Sequence, residues 1–164
     1  MLSDLGSSGD TGAELVRKFR ERDAALMSAP TNGCYGGCTL HLNRGIEFAF
    51  GDFPSGGMVI PGPDTVFLNA TYFTSGTWDE HRVGLVGHEL VHLLNQNLGR
   101  YSTRGEAEAY AAQGRVLRGL SVDPDSRMLA AMGANLENPA ALADFRRDHL
   151  EALATDLGTY FVYS

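Results

Sequence analysis

The spacing of apolar residues divides the chain into a helical beginning, a β-rich middle and a helical second half. Apolar residues recur at helical spacing from residue 13 to about residue 28 and predict a first helix. Residues 1–12 are rich in glycine, serine and aspartate and predict a flexible N-terminus. At 164 residues, the chain is long enough for one domain with a sizeable core, so residues 13–164 are expected to form a single domain.

In the middle of the chain, the apolar period shortens to two, which is typical of strands. Turn residues such as Asn43-Arg44-Gly45 separate these runs. The runs predict three or four strands in a small, mostly antiparallel sheet, at residues 39–42, 46–50, 58–60 and 65–69.

A long helix is predicted directly after this sheet. Thr77 and Glu80 have the spacing of a capping box, and the helix is expected to run to about Asn97. Gly84 and Gly87 weaken a helix relative to alanine, so we expect another element, such as a strand, to pass close to its backbone there.

Three more helices are expected after that one, at residues 104–120, 124–136 and 139–157. Asp123-Pro124 and Asn138-Pro139 each provide a capping side chain before a proline suited to a first helical turn. The predicted fold is therefore α+β, a small sheet packed on one helix with further helices after it.

Composition and charge exclude some classes of function. The net charge of −7 argues against a nucleic-acid-binding surface, which carries a basic patch. No apolar run reaches the length of a membrane span, and the first residues do not resemble a signal peptide. We expect no nucleic-acid or membrane partner, and a protein that is cytoplasmic or exported by a leaderless route.

Two cysteines and a histidine lie close together in the sequence. Cys34 and Cys38 could form a disulfide or stay as free thiols, and with His41 they could form part of a second zinc site. The sequence leaves these three alternatives open.

The strongest chemical signal is His88-Glu89-Leu90-Val91-His92. Histidines four apart on a helix have Cβ atoms roughly 5–6 Å apart, so both can bind one ion. Glu89 lies to the side of this pair, where it can accept a proton from an attacking water. This is the His-Glu-x-x-His arrangement of zinc metalloproteases.

A catalytic zinc usually has three protein ligands, and no third histidine follows at the expected spacing. A carboxylate on the next predicted helix must then complete the site, and Glu106 and Glu108 are the candidates. They lie about 200° apart around a helix, so only one of them can face the metal.

His88-Glu89-Leu90-Val91-His92, followed by Glu106-x-x-Ala109-Tyr110, resembles the gluzincin metallopeptidases, especially those with a minimal scaffold. The resemblance covers residues 64–113 and implies a zincin-like fold with His88, His92 and Glu106 as zinc ligands. It also implies that strand 65–69 forms the sheet edge that lines the cleft. Where these families commonly have Asp or Asn to steady a ligand histidine, this chain has Tyr110.

The expected function is zinc-dependent cleavage of a peptide or protein substrate, with Glu89 as the general base. The alternatives are an inactive, zinc-stabilised binding module and a zinc hydrolase that acts on other bonds. In this class, a tyrosine or histidine usually helps to stabilise the oxyanion. The candidates for that role are Tyr101, Tyr110, His81 and His149.

Overall fold

The computed structural model describes residues 1–28, 45–52, 56–60, 64–74, 79–95 and 102–156. In these residues the chain forms an α+β fold, as predicted, in which a small sheet packs against helices. The strands are β1 (Glu47–Gly51), β2 (Gly57–Ile60) and β3 (Thr65–Asn69). The helices, in chain order, are α1 (Leu2–Gly6), α2 (Asp10–Ser28), α3 (Ala70–Thr74), α4 (Glu80–Leu94), α5 (Thr103–Gly119), α6 (Ser126–Gly133), α7 (Pro139–Phe145) and α8 (Glu151–Asp156).

The sheet has the strand order β1-β3-β2. β1 pairs with β3 in parallel, and β2 pairs with β3 antiparallel, so the sheet is mixed rather than mostly antiparallel. β3 is therefore the central strand of the described sheet. The expectation that residues 65–69 form its edge was wrong, because β1 and β2 take the two outer positions. The predicted strand at residues 39–42 lies outside the described residues.

The N-terminal segment contributes to the core. Residues 1–12 were expected to be flexible from their composition, but they include helix α1. Leu5 of α1 is fully buried and belongs to the same hydrophobic cluster as Leu15, Val86 and Val116. Gly12 has no room for a side chain, since a Cβ there would lie 2.0 Å from the Leu5 carbonyl oxygen. This contact brings α1 down onto α2.

Helix α2 also connects to the sheet. Phe19 packs against Phe48 of β1, with ring centroids 5.8 Å apart. The Asp23 carboxylate accepts a hydrogen bond of 2.7 Å from the Ile46 amide, just before β1. The Arg22 guanidinium pairs with Asp64, just before β3. Helix α2 is thus fixed to the beginnings of both parallel strands.

Helix α4 lies at the centre of the fold, and its two glycines mark close contacts with other helices. A Cβ at Gly84 would lie 3.0 Å from the Leu117 side chain of α5. A Cβ at Gly87 would lie 3.4 Å from Leu5 of α1 and 3.4 Å from Val116 of α5. The close approach was predicted, but the elements that approach here are helices rather than a strand.

The helix ends show which polar residues cap them. Asp79 caps α4 by accepting a 3.0 Å hydrogen bond from the Arg82 amide, so the cap is not Thr77, which lies outside the described residues. Asp125, rather than Asp123, caps α6. Asn138 caps α7 with Pro139 in its first turn, as predicted. A π-helical turn, Arg146–Leu150, joins α7 to α8.

Among the described helices, none combines the length and apolar character that crossing a membrane requires.

Candidate metal centre

The site lies between α4 and α5, which are the most extensively packed pair of helices. Three contacts between the helices join residues whose numbers rise along α4 and fall along α5. They are Gly84 with Leu117, His88 with Gln113, and Asn95 with Glu108. The helices are therefore antiparallel. The start of α5 is fixed by Ser102, whose hydroxyl accepts a 2.9 Å hydrogen bond from the Gly105 amide. This places Glu106 in the first turn of α5, opposite the last turns of α4.

His88, His92 and Glu106 each direct a donor atom towards one point, and these atoms lie within 4.8 Å of one another. The two Nε2 atoms are 3.1 Å apart. Glu106 Oε2 lies 3.6 Å from His88 Nε2, and Glu106 Oε1 lies 3.3 Å from His92 Nε2. Ligands bound tetrahedrally to zinc at 2.0–2.1 Å are separated by roughly 3.3–3.4 Å. The three separations, which involve both oxygens of Glu106, fall on both sides of that value, so this group could hold a metal ion.

The hydrogen bond on the other side of His88 fixes which nitrogen faces this point. His88 Nδ1 lies 3.1 Å from Gln113 Oε1, an amide oxygen that only accepts hydrogen bonds. Nδ1 therefore carries the proton in the neutral ring, and the Nε2 lone pair faces Glu106 and His92. A lone pair and a carboxylate that face each other require a cation, either a proton or a metal ion, between them.

Gln113 was not predicted from the sequence, where the orienting residue was expected at position 110. It lies on α5 seven residues after Glu106, which is about two helical turns and so the same face of the helix. Its side chain is buried on a helix whose other buried residues are mostly alanine, glycine, valine and leucine. The sequence signal that could have identified Gln113 is a polar residue seven positions after Glu106, among the small and apolar residues of this helix.

The pKa values of the group reflect its burial and close packing. Burial alone would raise the pKa of Glu106, but its close contacts with His88 and His92 outweigh burial and hold that pKa well below its usual range. Burial disfavours the charged form of His92, but the hydrogen bond and negative charge of Glu106 outweigh it and raise the pKa of His92. The two shifts have one cause, which is the attraction between the Glu106 carboxylate and a proton on His92.

Glu108 does not belong to this group. Its carboxylate accepts hydrogen bonds of 3.1 Å from Asn95 and 3.0 Å from Arg104, and Arg104 also binds Glu137. These contacts connect the end of α4 to α5 and to the segment between α6 and α7. Of the two glutamates that the sequence left open, the structure places Glu106 with the histidines and Glu108 in this surface network.

Glu89, the predicted general base, is buried beside the donor group with only 4% of its surface exposed. Its carboxylate lies against the backbone of β2 at Gly57. Burial is the main reason that the pKa of Glu89 is raised, and the negative charge of Glu106 raises it further, whereas the charges of His88 and His92 oppose the shift. Glu89 therefore binds a proton more readily than an exposed glutamate does.

Tyr110 lies one turn after Glu106 and packs edge-on against His88, with ring centroids 4.6 Å apart. Its hydroxyl accepts a 3.0 Å hydrogen bond from Arg127 of α6. Burial is the main cause of the raised pKa of Tyr110, with the charge of Glu106 adding to it, so the phenol stays protonated. Tyr110 thus buttresses a candidate ligand without replacing the missing orienting carboxylate.

The other residues singled out in the sequence lie elsewhere or outside the described chain. His81 is exposed on the first turn of α4. His149 lies in the π-helical turn and packs against Phe145, at a ring-centroid distance of 5.2 Å. Tyr101 and the group of Cys34, Cys38 and His41 lie outside the described residues.

Comparisons with protein-family models, with curated proteins and with solved structures found no match to this chain. The resemblance to gluzincins therefore remains a prediction that rests on the motif residues themselves.

Proposed function

We propose that His88, His92 and Glu106 bind a zinc ion and that the protein hydrolyses peptide bonds with Glu89 as the general base. The observation that carries this proposal is the convergence of two imidazole nitrogens and one carboxylate, at mutual distances of 3.1, 3.3 and 3.6 Å, beside a buried second carboxylate. Two histidines and one glutamate, with a fourth position open, form a ligand set of catalytic zinc sites.

The presence of Glu89 separates this proposal from other metal chemistry. Two histidines and a carboxylate also bind iron(II) in non-haem oxygenases. A purely structural metal site, in turn, requires no proton acceptor beside its ligands. Glu89 is buried next to the group and its pKa is raised, which are the properties that a hydrolytic enzyme requires of a general base.

A zinc ion bound here would supply a Lewis acid and would bring the pKa of water towards neutrality. Gln113 holds His88 with its Nε2 lone pair towards His92 and Glu106, where the ion would bind. Glu89 accepts a proton from the attacking water and returns it to the nitrogen of the leaving amine. Burial beneath β2 keeps bulk water away from the Glu89 carboxylate and so preserves its raised proton affinity.

The sheet suggests where a substrate would lie. In the described sheet, β2 is an outer strand, and it passes directly over Glu89. The amide of Asn69 donates to the carbonyl of Gly56, so the alternating antiparallel pattern turns the backbone groups of Val59 away from β3. An extended peptide that pairs with β2 would run alongside Glu89. The proposed substrate is therefore an extended segment of a peptide or protein.

Zinc binding and peptide cleavage are measured separately in the wild type and three variants. Glu106→Ala removes the proposed carboxylate ligand. Glu108→Ala is its matched control, because it makes the same change two positions away in the surface network. Glu89→Gln removes the base while keeping the shape of the side chain. Zinc content and Kd are determined after reconstitution of chelator-treated protein, and cleavage is followed with a proteome-derived peptide library.

We expect the wild type and Glu108→Ala to bind one zinc ion, and Glu106→Ala to lose high-affinity binding. Glu89→Gln should keep zinc and lose about 100-fold or more of the cleavage rate, which is the usual contribution of a general base. Normal cleavage by Glu89→Gln would refute the mechanism. Zinc binding by a wild type that cleaves no peptide would favour the binding module, and zinc loss in Glu108→Ala alone would refute the ligand assignment.

A further inference from the structure

We propose that Gly57 is a positioning residue for Glu89: by lacking a side chain, it lets the carboxylate lie against strand β2, where it can act as the base. This inference rests on the proposed function, because it concerns how the same site is built.

The contact between Gly57 and Glu89 leaves no room for a methyl group. A Cβ placed on Gly57 would lie 2.5 Å from Glu89 Oε1 and 2.6 Å from both its Cδ and Cγ. Real Cβ atoms essentially never approach other heavy atoms to less than 3.0 Å. The outer half of the Glu89 side chain therefore occupies the space that any other residue at position 57 would fill.

The backbone conformation does not by itself require a glycine here. Among the glycines of the described residues, Gly9 has a positive φ and Gly57 does not. Gly57 lies in regular antiparallel pairing opposite Leu68 of β3. An alanine at position 57 would thus be compatible with the strand, and what it would disturb is the space that Glu89 occupies.

A methyl group at position 57 would displace the Glu89 side chain rather than the helix that carries it. The backbone of α4 is held by fully buried Val86, Leu90 and Leu93. The Glu89 side chain, by contrast, can rotate about its own bonds. Moving the carboxylate costs the fold little, but it moves the proton acceptor away from the reacting atoms. Displacing a catalytic group by about 1 Å can lower the rate 100-fold.

Gly56 provides a matched control on the same segment. A Cβ at Gly56 would lie 2.6 Å from Leu85 Cδ2, the flexible end of a side chain one turn before Glu89 on α4. Gly56→Ala therefore adds the same methyl group against the same helix, but it displaces an apolar side chain instead of the base.

The experiment compares wild type, Gly57→Ala, Gly56→Ala, Glu89→Ala and the double variant Gly57→Ala/Glu89→Ala. Each zinc-loaded protein is assayed for kcat and KM on one peptide taken from the library, and for zinc Kd and Tm. We expect Gly57→Ala to lower kcat about 10- to 100-fold while KM changes by less than about twofold, because the loss is confined to the transition state. Its zinc Kd should stay at the wild-type value.

Glu89→Ala removes the Cγ, Cδ and carboxylate atoms that the added methyl group would meet. Gly57→Ala should therefore lower kcat in the wild type but leave the residual rate of the Glu89→Ala protein unchanged, and a double-mutant cycle measures this coupling. A purely structural role for Gly57 would lower Tm without such coupling.

An active wild type with unchanged kcat in Gly57→Ala would overturn the inference and leave the proposed function standing. An equal loss of kcat in Gly56→Ala would also overturn it, because the effect would then come from crowding α4 in general. A wild type that neither binds zinc nor cleaves the peptides would refute the proposed function, and the inference would fall with it.

Discussion

Replacement of Gln113 by leucine tests whether a single buried amide determines the metal affinity of the site. Gln113 Oε1 accepts the hydrogen bond of His88 Nδ1 over 3.1 Å, and both residues are buried, at 8% and 6% exposure. Leucine has a similar volume but cannot accept a hydrogen bond. The Gln113→Leu variant therefore removes the partner of Nδ1 without opening a cavity.

The expected loss follows from the state in which His88 is left. A buried N–H group without a partner costs about 1–3 kcal/mol. The ring avoids this cost by moving its proton to Nε2, the atom that faces His92 and Glu106, and a protonated Nε2 cannot bind a metal. Either outcome weakens binding, and loss of such an orienting partner typically lowers metal affinity about 10- to 100-fold. A tenfold change corresponds to about 1.4 kcal/mol, so the two estimates agree.

The assay is a zinc titration in competition with a chromogenic chelator, below the melting transition of every variant. Gln113→Glu keeps an acceptor oxygen at the same distance along the side chain and should bind zinc at least as tightly as the wild type. Arg115→Leu, at an exposed position on the same helix, is the control for the substitution itself and should leave Kd unchanged. A Gln113→Leu protein with the Kd of the wild type would show that Gln113 does not hold His88.

Two further predictions concern pH and the N-terminal helix. Because the pKa of His92 is raised, its contribution to the stability of the metal-free protein is fully present below the unfolded value of 6.5 and is lost as pH rises through the folded value. The pKa of Glu106 is lowered, so its contribution to stability is present above the unfolded pKa of 4.5. That contribution is lost as pH falls through the folded pKa. Tm of the metal-free protein should thus fall above pH 6.5, and the increase in Tm caused by zinc should grow over the same range. Parallel plots of Tm against pH with and without zinc would contradict this. Leu5→Ala should lower the free energy of unfolding by about 2–5 kcal/mol in denaturant titrations, because Leu5 is fully buried. Leu129→Ala, at a half-exposed position, should change it by less than about 1 kcal/mol. Equal effects of the two substitutions would place α1 outside the core.

The sequence identified the parts of the site that depend on spacing within one helix. His88 and His92 converge because residues four apart on a helix lie on one face, and that relation holds wherever the helix packs. The presence of Glu106 on the following helix was also predictable. The choice between Glu106 and Glu108 came from resemblance alone until the structure placed Glu108 in contact with Asn95 and Arg104.

The features that sequence reasoning missed depend on contacts between elements that are distant in the chain. Gln113 acts through His88, on another helix, so no local pattern on α5 identifies its partner. The order of the strands depends on a parallel pairing between β1 and β3, which no alternating pattern specifies. α1 was missed because it has too few apolar residues to show a helical period. Those residues are buried by contacts with α2 and α4, which a local sequence pattern does not reveal.

Gly84 of α4 helps to set the distance between the two helices that carry the candidate ligands. The donor atoms are divided between two helices, so the distances between them record how far apart those helices lie. Gly84 sets that separation at a point where Leu117 and the Gln113 side chain approach to 3.0 and 3.3 Å of the position a Cβ would take. Crowding at this contact would push α5 outwards and carry Glu106 and Gln113 away from the histidines together. If the site binds a metal ion as proposed, its affinity should therefore depend on how α4 and α5 pack, and substitutions that contact no ligand should still change it.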